Sequence, residues 1–143
     1  PTTMIDIKTN TISLTEAEAW VAKWRSTHKN DCKAFLIPAQ DLVSVLIEMN
    51  ILVQQKDGTY ALNEGTISNA GVRAYMGIDT KTIEGGGEKL IIVGTKTETA
   101  PDGKTVYRDI INNSVSDIAT EGSGIYDFTR PCPPACDPNS PLS

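Results

Sequence analysis

The sequence predicts an α+β domain in which two N-terminal helices pack on a mainly antiparallel sheet of about four to six strands, followed by an irregular Pro-rich C-terminal strap. Two patterns carry the prediction. Helical spacing of apolar residues is confined to the chain before Asn50, and beyond it short strand-like segments alternate with Asp-Gly and Pro-Asp-Gly turns. Composition supplies the third observation: 143 residues with 39% hydrophobic and 22% charged content suit a single domain, residues 1–143, with one core. Residues 1–13 read as a lead-in and residues 121–143 as the irregular segment.

From Thr15 to Lys29 the residues Leu14, Ala17, Val21, Trp24 and His28 form one helical stripe, widened by Trp20. Ser13 with Glu16, or Thr15 with Glu18, makes a capping box at its start, and Lys23, Arg25 and Lys29 suit the negative end of the macrodipole. Ala34-Phe-Leu-Ile37 is a short extended run, because Pro38 disfavours helical geometry at Ile37 while being well suited to open a helix itself. From Ala39 to Met49 the polar positions Asp41, Ser44 and Glu48 leave one narrow polar face, so this second helix is expected to be largely buried.

Val53–Lys56 and Thr59–Leu62 flank Asp57-Gly58, a pair suited to the positive φ of a tight hairpin. Val72, Ala74, Met76 and Ile78 alternate with Arg73, Tyr75, Gly77 and Asp79, which predicts a half-buried strand with the first set toward the core. Lys89–Thr97 holds the run Leu-Ile-Ile-Val, suited to a strand covered on both faces in its first half. Pro101-Asp102-Gly103 then turns the chain into a partner strand over Thr105–Ile111.

Charge excludes two function classes. A net charge of -5, with thirteen Lys and Arg residues scattered along the chain, argues against nucleic-acid partners and anionic membranes, both of which require clustered cations. The apolar helix and hairpin of residues 39–62 look locally like a winged-helix unit, yet the helix bears two acids and no Lys or Arg, so no DNA binding is expected. Apolar runs such as Leu90–Val93 are far too short to span a bilayer. Pro1–Lys8 lacks the features of a secretory signal, so a cytoplasmic location is the expectation, although a processed export signal would leave an equally uninformative start.

Catalytic motifs give way to plainer readings. Gly85-Gly-Gly87 lies between Glu84 and Glu88 and leads into a strand, whereas a phosphate cradle needs a Lys and a following helix. Gly122-Ser-Gly124 is not a nucleophile elbow, and the chain's single histidine leaves no spare base for a serine triad. Asp109 and Asp127 read as charges on a solvated sheet face. His28, four residues before Cys32, is composed like a thiol–imidazole pair, but near a helix C-terminus it reads first as a packed or capping residue.

Pro131-Cys-Pro-Pro-Ala-Cys136 is the most unusual segment. Cys132 and Cys136 have the composition of a disulfide, a redox pair or, with His28 and Cys32, a structural zinc site. Polyproline geometry at about 3.1 Å per residue separates their Cα atoms by roughly 12 Å, too far for a bridge. A rigid strap with unbridged thiols is therefore the first expectation, and a bridge or shared metal requires a chain reversal or cis bonds at Pro133 or Pro134.

Val72-Arg-Ala-Tyr-Met-Gly-Ile-Asp79, Lys89–Gly94 and the closing Tyr126–Cys136 together resemble a group of short uncharacterised bacterial proteins that share a VRxYxGID segment and a C-terminal PCPPxC motif. The resemblance implies a bacterial cytoplasmic origin and brings no mechanism. Without a catalytic constellation, the leading expectation is a non-enzymatic domain that binds a protein or small molecule through Arg73, Tyr75, Asp79 and the C-terminal strap, because Arg and Tyr anchor interfaces well. The alternative is a metal-binding or thiol-redox protein using Cys132 and Cys136.

Overall fold

A computed structural model describes residues 8–67, 71–81 and 87–143, and it is a mixture of helices and strands with antiparallel sheets. Most of the Gly85–Gly87 triplet and the first seven positions lie outside the described residues. The chain forms two compact units, one of Pro1–Leu36, Ile78–Lys89 and Arg130–Ser143, the other of Ile37–Gly77 and Leu90–Thr129.

In the first unit, α1 (Leu14–Thr27) begins at Ser13, whose side chain accepts a hydrogen bond from Glu16 N at 3.1 Å. Of the two capping boxes, Ser13 is thus the cap. The helix ends at His28, whose Nδ1 lies 2.9 Å from Trp24 O and whose ring stacks on Trp24 at a centroid distance of 4.4 Å. No residue of α1 is fully buried and both tryptophans stay exposed, so the expected core stripe is half-buried at most, at Ala17 and Val21. β1 (Ala34–Leu36) pairs antiparallel with β8 (Arg130–Cys132), setting Ala34 opposite Cys132 and Phe35 opposite Pro131. The C-terminal segment is therefore not wholly irregular: β8 orders its middle, and Arg25 donates from its guanidinium to Leu142 O near the end.

The second unit is built on β5 (Glu88–Thr99). One side of β5 meets β4 (Val72–Ile78), while the other side is shared between β7 (Ile125–Tyr126), opposite Ile92 and Val93, and β6 (Thr105–Asp109), opposite Thr95–Thr99. Gly94 lies at the changeover, where its carbonyl accepts from Ile110 N at 2.9 Å. A Cβ at Gly94 would stand 2.6 Å from Met49 Cγ, so a glycine is what lets α2 (Ala39–Glu48) approach this strand. Val45 and Met49 pack there with Ile51 and Ile92, flanked by Leu46, Leu90, Ile110, Tyr126 and Phe128. α2 stops where Asn50 turns to a φ of 60° and Ile51 N bonds Leu46 O at 3.0 Å, a left-handed helix ending that Asn tolerates. The hairpin β2 (Leu52–Gln54) and β3 (Tyr60–Leu62) forms around Asp57-Gly58, but with a three-residue loop: Leu52 pairs with Leu62 and Gln54 with Tyr60, Gln55 N bonds Thr59 O at 2.7 Å, and Gly58 takes a φ of 87°. Two short helices complete the unit, α3 (Glu64–Ile67) and α4 (Val115–Glu121).

Two burial expectations are corrected. α2 buries Val45 and leaves Leu42, Val43 and Ile47 exposed, so it is covered along one side rather than all round. In β4 the alternation holds but its apolar set is not core: Met76 is 68% and Ile78 72% exposed, and Val72 and Ala74 are exposed too. The cause is width. A helix about 10 Å across covers roughly two strands spaced 4.8 Å apart, and α2 sits over β5 and the β7 side of the sheet, leaving β4 uncovered.

Candidate functional site

The antiparallel register of β4 and β5 follows from its two ends, where Thr95 N bonds Gly71 O at 3.1 Å and Asp79 N bonds Gly87 O at 2.7 Å. Thr95 is buried, and its hydroxyl donates to Gly71 O while accepting from Gly71 N, which pins the start of β4. The register sets Arg73 opposite Val93, with its side chain on the sheet face away from α2. Asp109 lies opposite Thr95 from the β6 side and shares that face.

Arg73 and Asp109 thus stand on strands two apart, about 10 Å between backbones, a span that a guanidinium crosses. Arg73 Nη1 bonds Asp109 Oδ1, Arg73 Nη2 donates to Tyr107 O at 3.0 Å, and Tyr75 Oη donates to Asp109 Oδ2. One carboxylate therefore gathers two β4 side chains, both of its oxygens engaged. The guanidinium pKa is raised, by the Tyr75 hydroxyl first and by Asp109 next, against the opposing effect of burial. Because the Arg73 side chain is 38% exposed, solvent screens the pair and its contribution to stability is small. Its main effect is to hold a cation and a phenol in fixed places on an open surface.

Two of the three expected binding residues are therefore brought together, and the third is not: Asp79 instead accepts from Lys81 N at 2.8 Å in the turn after β4. Sequence reasoning missed Asp109 as the organising group, although its period-2 phase with Tyr107 placed it on the sheet face that Tyr75 shares.

The cysteine candidates separate. Cys132 and Cys136 form a disulfide with Cα atoms 4.8 Å apart, and the Cys132–Pro133 and Pro133–Pro134 bonds are both cis. This overturns the extended strap with unbridged thiols. Ala135 N donates to Pro131 O at 2.9 Å, closing the turn that brings the sulfurs together. Cys32 remains a buried thiol, its pKa pushed up to about 11 by burial first and then by Glu88. Glu88 also accepts from Cys32 N at 2.6 Å. His28 is spent on Trp24 and lies 2.8 Å from Thr27 Oγ1, so no thiol–imidazole pair is assembled. Among the described residues no group of three or more His, Cys, Asp or Glu side chains is placed to hold a metal ion, so the His28, Cys32, Cys132 and Cys136 set does not come together as a zinc site.

A shallow concavity at the β5–β6 hairpin is lined by Thr97, Glu98, Thr99 and Thr105. Its one ionisable group, Glu98, is paired with Arg108 at 3.1 Å and faces Lys96 at 3.9 Å. No described helix is long and apolar enough to cross a membrane. Compared with protein-family models, with curated proteins and with solved structures, the chain matches none.

Proposed function

We propose that this chain is a non-catalytic protein-interaction domain of a bacterial cytoplasmic protein, with β4 as its contact element. One observation carries the reading. Arg73 and Tyr75 are pre-positioned by Asp109 on one face of β4, while Met76, Ile78 and Val72 stand uncovered on the other. Fixed aromatic and guanidinium groups lose little conformational entropy on docking, and uncovered apolar side chains supply the area that a partner buries. Nucleic acid and membrane surfaces are poor partners for a chain of net charge -5. The test is a photo-crosslinking residue placed at Tyr75 in the cellular protein, with Lys104 in the exposed β5–β6 turn as control. A discrete adduct from position 75 and none from position 104 is the expected result. No adduct from position 75 would remove the reading.

A second reading, a thiol-redox function of Cys132 and Cys136, is favoured by their disulfide. In a reducing cytoplasm such bridges are transient and regulatory where they occur. Zinc ligation by the pair requires prior reduction, since bonded sulfurs are not thiolates. Alkylation with and without reductant tests this. A bridge that opens in glutathione buffers of cytosolic composition, with Cys32 silent until the protein is denatured, supports the redox reading. A bridge unmoved by those buffers leaves a structural staple.

A further inference from the structure

We propose that β4 pairs antiparallel with β4 of a second copy of this chain, joining two sheets about a two-fold axis at Tyr75. The proposal deepens the interaction reading, and rests on it, by naming the partner.

β4 is seven residues long and lies at the end of the strand order, so among the described residues one side of it is an open edge. Its ladder with β5 uses the backbone of Gly71 and Asp79. By the period of a strand, the intervening Arg73, Tyr75 and Gly77 also turn their N–H and C=O groups toward β5. The groups of Val72, Ala74, Met76 and Ile78 therefore point outward, where no described strand meets them. Such a row is a template for another strand, and natural edges guard it with Lys, Pro or a bulge. β4 contains neither Lys nor Pro. Its one charge, Arg73, is drawn back over the sheet to Asp109 and Tyr107 O and leaves the edge unguarded.

The sequence of the edge is self-complementary. With the axis at Tyr75, Ala74 faces Met76 of the second copy and Val72 faces its Ile78, each a pair with both partners' backbone groups turned outward. Four such pairs form by symmetry, apolar side chains meet apolar side chains, and Tyr75 meets its own copy in a non-hydrogen-bonded pair. Arg73 falls opposite Gly77 of the second copy, which has no side chain to displace it from Asp109. No like charges within β4 are brought face to face. A single strand pairing buries less than the roughly 1,600 Å² of a standard interface, so the dimer is weak and concentration-dependent.

Sedimentation velocity from about 1 µM to about 300 µM should show the mass rising from one chain to two. The Tyr75→Cys variant should cross-link to itself on mild oxidation, because non-hydrogen-bonded partners hold their Cα atoms about 4.5 Å apart, inside the disulfide range. Met76→Cys, which faces Ala74 of the other copy, should cross-link far more slowly. Met76→Lys, with unchanged circular dichroism, should weaken the dimer at least tenfold. A wild-type chain that stays monomeric at the highest concentration overturns the proposal, and so does a dimer in which the Tyr75→Cys variant fails to cross-link. Position-75 adducts of a different protein alongside a monomeric chain would sink self-pairing and leave the interaction reading standing.

Discussion

At the residue scale, the most consequential polar contact inside the second unit is the 2.7 Å hydrogen bond that Tyr126 Oη donates to Glu48 Oε2. The pairing joins the polar edge of α2 to β7, and nothing in the spacing of Glu48 within its helix announces a partner 78 residues away. Gly124 adds to the constraint, since a Cβ there would overlap Ile110 O and stand 3.4 Å from Glu48 Oε1. The phenol of Tyr126 is pushed up to about 12, by burial first and by Glu48 second. Its neutral form is the one the fold favours, so the stabilisation is complete below the ordinary tyrosine pKa near 10 and is lost as pH rises toward about 12. A phenolate absorbance titration should show one of the chain's four tyrosines ionising late, coincident with loss of tertiary signal. Glu48→Gln should lower that late pKa only part of the way, because the effect of burial persists. A return to the ordinary value would reverse the order of the two causes.

At the element scale, legibility follows how local the determining physics is. Both long helices, the Asp57-Gly58 hairpin and the β5–β6 turn at Gly103 (φ 84°) are readable because capping, periodicity and turn chemistry act within a few residues. α4 escapes the sequence reading although Ser114 caps it by accepting from Asp117 N at 3.2 Å, a Ser-x-x-Asp signal set in a polar stretch. The alternation of β4 is legible too, but which of its faces is covered is decided by how far α2 reaches across the sheet, and no period-2 pattern contains that information. α1 offers the cleanest test at this scale. Its sequence admits two caps, and the structure uses Ser13 rather than Thr15. Ser13→Ala should cost about 1 kcal/mol of helix stability, read as faster amide exchange in the first turn of α1, whereas Thr15→Ala should change it by less than about 0.5 kcal/mol. Equal effects would mean that the cap is shared.

At the scale of the whole molecule, the candidate site is half legible. Arg73 and Tyr75 are identifiable by residue type and strand phase, but their convergence on Asp109 depends on a partner strand entering from the far side of β5, and the Cys132–Cys136 bridge depends on backbone states opposite to the polyproline expectation. The bridge closes a loop of only five residues, for which chain entropy predicts about 2 kcal/mol at 25 °C. It lies beside the β1–β8 ladder, where Lys33 N donates to Cys132 O at 2.5 Å. Cys136→Ser should therefore act locally: amide exchange at Lys33 and Ala135, both in the first unit, should accelerate by up to about 30-fold. The amides of Met49 and Ile110, which bond Val45 O and Gly94 O in the second unit, should keep their protection. Proportional acceleration at all four would mean that the bridge stabilises a single cooperative body, and the two units would then have to be treated as one in every stability argument.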